Sequence, residues 1–127
     1  MKKLRSEDGA VAVEFALLLP ILVVLLLGIM EFGLLYNAQI TLTNAAREGA
    51  RTVAIENDQA AARADVKTAA FILDPALTDA DITFSPAGTC AAGMTSVSTI
   101  RYEYRYLSGL FGASLTLTGK AAMRCGG

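Results

Sequence analysis

The hydrophobic pattern changes character along the chain. Between residues 10 and 30 apolar side chains follow one another with Glu14 as the only charge, and about 20 apolar residues are what a helix needs to cross the core of a bilayer. Pro20 falls inside this run and removes one backbone hydrogen bond, a loss that membrane helices tolerate when neighbours compensate. Beyond the run the apolar positions thin to a stripe. Ala38, Leu42, Ala45, Gly49 and Val53 recur at three- and four-residue steps while Gln39, Thr43, Arg47 and Arg51 fall elsewhere. This predicts that the helix continues and ends near Glu56 and Asn57. The stripe is made of small residues, so another element can approach closely; a sheet of the same chain is favoured over a helix of a second subunit. Arg47, Glu48 and Arg51 read as a solvated face.

Asp58 suits the N-cap of a second helix over 58–73, with Val66, Ala70 and Leu73 on one side and Pro75 as its stop. The segment 79–95 contains Pro86, Gly88 and Gly93 and predicts a short strand around 82–84 followed by a loop. Two alternating patterns close the chain. In one, Ile100, Tyr102, Tyr104 and Tyr106 alternate with Arg101, Glu103 and Arg105; in the other, Leu115, Leu117, Gly119, Ala121 and Met123 alternate with Thr116, Thr118, Lys120 and Arg124. Gly109 and Gly112 between them favour an antiparallel hairpin. Leu110 and Phe111 in that connection read as a self-packed loop, with a partner-binding tip as the other reading. The tyrosine stripe reads as the sheet face that meets a helix, in preference to a stacking platform for a ligand. The expected fold class is α+β: a long N-terminal transmembrane helix continuing into a small domain with a second helix and an antiparallel sheet of about three strands.

Composition adds a compartment. The chain has 54% hydrophobic and 18% charged residues, apolar for a protein living wholly in water, and one membrane span accounts for the excess. Lys2, Lys3 and Arg5 precede the span, and basic flanks stay cytoplasmic, so the remainder faces outward. A net charge of −1 with no further basic run argues against a nucleic-acid partner. Without His, and with Cys90 and Cys125 alone, a four-ligand zinc site cannot be assembled within the chain, and no cofactor or metal is implied. Two lone cysteines in an exported domain read most simply as a disulfide. Closing so long a loop contributes about 3 to 4 kcal/mol in the entropy model, which matters in a domain whose core alone is marginal. No nucleophile with its base and no Gly-rich phosphate loop can be found, so an enzyme is not expected; Asp79 and Asp81 read as turn formers.

The start of the chain admits several readings. A cleaved secretory signal also has a basic start and an apolar stretch, but Glu14 interrupts the apolar region, the run is too long, and the neighbourhood of Met30-Glu31-Phe32 offers no small-x-small site. A plain signal anchor leaves Glu14 unexplained. Insertion scales charge about 2.5 to 3.5 kcal/mol for Asp at a helix centre and less near an interface, so a partner for a carboxylate here is called for. A cut after Gly9 would give Ala10 a free amine four positions before Glu14 on one helical face, and that amine, on this chain or a neighbour, can neutralise the carboxylate. The missing side chain at Gly9 also lets an extended backbone approach a peptidase closely.

The run Gly9-Ala10-Val11-Ala12-Val13-Glu14-Phe15 resembles the type IV prepilin processing site, in the form used by the tight-adherence (Flp or type IVc) pilus system: a short basic leader, then an aromatic residue after the Glu. The longer stretch 8–20 resembles the start of TadE-like minor pseudopilins, and so does Asn44-Ala45-Ala46-Arg47-Glu48-Gly49-Ala50-Arg51. The likeness is close over roughly the first half of the chain and general in the second. It implies that a prepilin peptidase, an aspartic protease of the inner membrane, cuts between Gly9 and Ala10. It also implies that Glu14, followed by Phe15, guides assembly by pairing with the N-terminal amine of an adjacent subunit, and that a bend at Pro20 helps subunits pack. The organisation that follows is a leader over 1–9, a transmembrane helix over 10–36, and an extracytoplasmic pilin-like domain over 37–127. Within that domain the helix continues over 37–56, the second helix occupies 58–73 and a small sheet occupies 80–127.

The expected function is that of a minor pilin or pseudopilin supporting a tight-adherence pilus used in surface attachment. It would be a single-pass protein of the bacterial inner membrane, with its N-terminus cytoplasmic and its domain outside. Its partners would be the prepilin peptidase, other pilin or pseudopilin subunits, the inner-membrane pilus platform and membrane lipid. The domain argues for a minor component, because the major pilins of this system are barely more than the helix. The alternative is a monomeric, membrane-anchored envelope binding module, which predicts no cut after Gly9 and indifference to Glu14→Ala.

Overall fold

A single helix of 51 residues, α1 (Ser6–Glu56), carries the first part of the chain. The computed structural model describes residues 6–126, so the basic leader residues Lys2, Lys3 and Arg5 lie outside the described residues. Glu7 and Asp8 sit in the first turn, where negative charge complements the helix dipole. The helix runs on through Pro20. It stops at Asn57, whose φ of 58° is left-handed, a conformation that Asn tolerates better than most residues; its amide still donates to the Val53 carbonyl. After α1 come α2 (Gln59–Ala69), a 3-10 turn (Asp79–Asp81) and three strands, β1 (Ile82–Ser85), β2 (Thr95–Arg105) and β3 (Ser114–Arg124). The strands form one antiparallel sheet in the order β1-β2-β3. The fold is α+β.

The described residues form two compact units, one ending at Leu34 and one beginning at Leu35. In the first, α1 exposes apolar side chains on all sides: Leu17, Ile21, Leu25 and Ile29 are each at least 60% accessible. The mean hydropathy of the most apolar part of α1 is 2.8, and among the described residues this is the one helix long and apolar enough to cross a membrane.

In the second unit the helix stripe meets the sheet. Ala38, Leu42, Ala45, Ala46, Ala50 and Val53 are buried, together with Val66 of α2, Ile82 and Phe84 of β1, Ile100 and Tyr102 of β2, and Leu117 of β3. The cover of the small-residue stripe is therefore intramolecular, while Arg47, Glu48 and Arg51 are exposed. Register places Ile100 between Ile82 and Gly119, and Tyr102 opposite Leu117. Two glycines set the spacing. A Cβ at Gly119 would lie 2.6 Å from the backbone carbonyl of Leu42, and one at Gly49 would lie 2.5 Å from Val66 Cγ2 and 3.1 Å from Phe84 and Ser98.

Polar contacts stitch the remaining parts to this core. Asp58 caps α2 by accepting from the amides of Ala60 and Ala61. The Thr52 hydroxyl donates to Asp65 at 2.6 Å, tying α1 to α2. Arg63 donates to the carbonyls of Asp79 and Ile82 and lies over the Phe84 ring, and Lys67 pairs with Asp79. Hydrogen bonding from Lys67 holds the Asp79 carboxyl below the usual carboxylate range.

Three details depart from the sequence reading. α2 ends at Ala69 and not at Leu73: a turn follows, which leaves Phe71 80% exposed and brings Leu73 back to the core. β2 begins at Thr95, within the stretch expected to be loop. Its inward positions there are Ser96 and Ser98, both fully buried, so the strand carries no apolar alternation to detect. At the ends of β3, Leu115 and Met123 are exposed, because the helix covers the middle of that strand alone.

The glycine contacts give a test of sign. Gly49→Ala removes a helix-interior glycine, which by propensity alone stabilises by up to about 1 kcal/mol. We expect a loss of about 1 to 3 kcal/mol instead, with Gly119→Ala at the upper end, because overpacking dominates where neighbours cannot move. Gly88→Ala, where a Cβ meets nothing within 4 Å, is the neutral control. Urea unfolding of the full chain in detergent measures all three.

Candidate functional site

Gly9, Ala10, Glu14 and Phe15 lie in the first turns of α1. Ala10 and Glu14 are one helical turn apart and so share a face. Glu14 is exposed amid exposed apolar neighbours, with Val13 and Phe15 each 60% accessible, and no described residue bonds to its carboxylate. Gly9 is not required by packing: a Cβ there would meet nothing within 4 Å, and its φ is not left-handed. Within the helix it is a weak link, costing about 1 kcal/mol relative to Ala, close to an end where opening a turn is cheap.

Glu31 behaves differently. It is 4% exposed and is not unpaired. Sequence reasoning passed over it, although a carboxylate at the edge of a long apolar run is a signal in itself.

Over residues 9–51 the chain matches the TadE-like protein family. No curated protein and no solved structure matches the chain. The TadE-like segment is about a third of the 127 residues and lies entirely within α1. It opens at Gly9 and closes on the Asn44 to Arg51 run. That run has a physical reading: Ala45, Ala46, Gly49 and Ala50 face the core, while Asn44, Arg47, Glu48 and Arg51 face water. The TadE-like segment thus joins a membrane-length apolar stretch to a seat for the sheet. Residues 9–51 are thus similar to the TadE-like family, and they include most of the one helix among the described residues that is long and apolar enough to cross a membrane.

On the solvent side of the same segment Tyr36, Gln39, Ile40, Thr43, Asn44 and Arg47 line a shallow groove of about 320 Å³. Among the described residues no group of three or more His, Cys, Asp or Glu side chains is placed to hold a metal ion. At the far end of the domain Cys90 and Cys125 form a disulfide across a separation of 35 residues. The Cys90 amide donates to the Asn57 side chain and the Gly126 amide to the Ala54 carbonyl, so the crosslink fastens the loop and the end of β3 to the C-terminus of α1.

The tyrosines divide by depth. Tyr102 is buried in the core, while Tyr104 and Tyr106 are partly covered and pack edge to face at 5.7 Å. Burial, followed by the nearby Asp74 charge, pushes the Tyr102 phenol above its ordinary pKa. The folded chain therefore holds this proton more tightly than the unfolded chain does. The associated stability is complete below about pH 10, the ordinary tyrosine value, and is lost as pH rises through the folded value. Between pH 8 and pH 11 the urea midpoint of the parent chain should fall further than that of Tyr102→Phe, which lacks the titrating group; equal falls would remove Tyr102 as the cause.

Proposed function

We propose that the chain is a minor pilin or pseudopilin of a tight-adherence type IV pilus, cut by a prepilin peptidase between Gly9 and Ala10. The observation that carries this reading is the coincidence of the TadE-like match, which begins at Gly9, with an exposed Glu14 five residues on. Gly9 is a glycine that local packing does not call for, so its absent side chain suits a demand from outside the chain, such as a peptidase cleft. Cleavage leaves the amine of Ala10 one turn before Glu14. In a bilayer the carboxylate then has a cation within reach on its own helix or on a neighbour's, which offsets the cost of holding it in lipid. Pairing with a neighbour's amine fixes the axial register between subunits, while Phe15 adds apolar contact beside it.

On this reading the basic leader stays in the cytoplasm and the domain that begins near residue 37 stands outside. Its disulfide suits an oxidising compartment. Other subunits and the inner-membrane platform are its partners, with no catalytic step of its own.

Intact-mass and N-terminal analysis of the membrane-extracted chain, produced with and without a prepilin peptidase of the matching system, tests the proposal. We expect an N-terminus at Ala10 only when the peptidase is present. Glu14→Ala should still be cut, but should recover other pilus subunits at roughly a tenth of the parent level or less, as loss of a charge pair in lipid implies. A Met1 start in both cells would sink the pilin reading and leave an anchored binding module.

A further inference from the structure

The tip of the β2–β3 hairpin carries side chains that a water-facing loop usually avoids. No position from 106 to 115 is charged, and Leu107, Leu110 and Phe111 are 74%, 54% and 56% exposed. The loop is nevertheless a built structure. Gly109 and Gly112 take φ values of 67° and 110°, which glycine adopts without steric cost, and they place Leu110 and Phe111 at the apex. The Tyr106 amide donates to the Ala113 carbonyl across the base. Phe111 leans on Tyr106 at 6.3 Å, Tyr106 stacks edge to face on Tyr104, and Tyr104 packs against the core. Rings thus support the tip from below and leave its apolar surface facing out.

Its place in the domain follows from register. Gly119 lies over Leu42, and Gln39 donates to the Thr118 carbonyl. Moving from Gly119 toward Leu115 therefore moves toward lower-numbered residues of α1. The tip lies at the Leu35 end of the domain, where the chain passes into its membrane-length apolar stretch, and the disulfide lies at the other end.

We propose that the hairpin tip, through Leu107, Leu110 and Phe111, seats in the headgroup and acyl boundary of the membrane that the apolar part of α1 crosses. The occupant is lipid because the tip stands at the Leu35 end of its domain, the end at which the chain passes into a stretch apolar on all sides and long enough to cross a bilayer. Exposed Arg105 stands at its base, with Glu103 and Arg101 further along the strand, and a cation beside aromatic and aliphatic groups suits the interface of an anionic bilayer. The domain then has a second attachment besides its covalent one, which restrains its tilt on the membrane. This goes beyond the pilin reading: it requires an anchored chain and holds whether or not that chain is cut or assembled.

The sequence contains no Trp, so Phe111→Trp in the full-length chain gives a single indole. The chain is reconstituted in phosphatidylethanolamine and phosphatidylglycerol vesicles, with and without lipids brominated near the headgroup end of their acyl chains. Ile55→Trp serves as the reference: Ile55 is 66% exposed and stands about 30 Å from Leu35 along the helix. Flotation with the vesicles establishes that each variant is anchored. We expect Phe111→Trp to emit to the blue of Ile55→Trp and to lose about half of its emission or more to the brominated lipids, with Ile55→Trp little changed. Leu110→Trp should behave like Phe111→Trp, which guards against a local disturbance at one position. Adding Leu110→Asp to Phe111→Trp should abolish the quenching. Emission at Phe111→Trp and Leu110→Trp that matches the Ile55→Trp reference would overturn the proposal. So would indoles shielded from aqueous acrylamide yet untouched by brominated lipid, an outcome that would assign the tip to a second copy of the chain.

Discussion

The distance between the α1 backbone and the sheet governs the rest of the domain. At Gly119 strand and helix approach until even a methyl group has no room over Leu42, and at Gly49 the space belongs to Val66, Phe84 and Ser98. Close approach excludes water well but leaves little volume for side chains, so the interface is filled by Ala45, Ala46, Ala50, Ser96 and Ser98. Small side chains remove little apolar area from water, at roughly 25 cal/mol for each Å², and the buried hydroxyls of Ser96 and Ser98 find no hydrogen-bond partner among the described residues. Leu42, Val53, Val66, Ile82 and Ile100, all fully or almost fully buried, supply most of the apolar bulk.

A core of that kind needs support from its margins, and the structure places it at both ends of α2 and at the end of α1. The cap at Asp58, the bond from Thr52 to Asp65 and the clamp of Arg63 and Lys67 on the 3-10 turn hold the second helix and β1 in place. The disulfide closes the opposite margin, where the loop before β2 and the end of β3 would otherwise be free to fray. In the entropy model a loop of this separation contributes about 3 to 4 kcal/mol, a large fraction of the 5 to 15 kcal/mol by which domains are ordinarily stable.

This economy explains what the sequence revealed and what it hid. The apolar run and the period of the small-residue stripe announced α1, and the Tyr and Leu alternations announced the hairpin, because each pattern reports a face that must leave water. Asp58 announced α2 through its capping chemistry. The first half of β2 was silent, since Ser96 and Ser98 are buried for their size and not for their hydrophobicity. The end of α2 was misplaced because Leu73 belongs to the core by way of a turn, which periodicity cannot distinguish from one more helical turn. Of the candidate site, the Gly9 to Phe15 run was legible as a pattern, while burial of Glu31 was not, because an acidic residue beside an apolar run does not by itself tell whether its carboxylate is covered.

The extent of the TadE-like match has a physical counterpart. Residues 9–51 end where the last exposed charge of the Asn44 to Arg51 run turns to water, before α2 and every strand. Two demands act on this stretch of one helix: lipid selects apolar side chains on all sides in its first part, and the sheet selects small side chains on one face in its second. Each demand fixes residues one by one, since neither a charge in the acyl layer nor a Cβ at Gly49 can be accommodated cheaply. The covering layer is under a looser constraint. Any two strands that present a gap opposite Leu42 and apolar neighbours beside it can close over the stripe, and volume-conserving exchanges among those neighbours cost little. A pattern carried by the helix alone is therefore enough to specify the seat, and the surface that the covering layer turns outward is left free to vary.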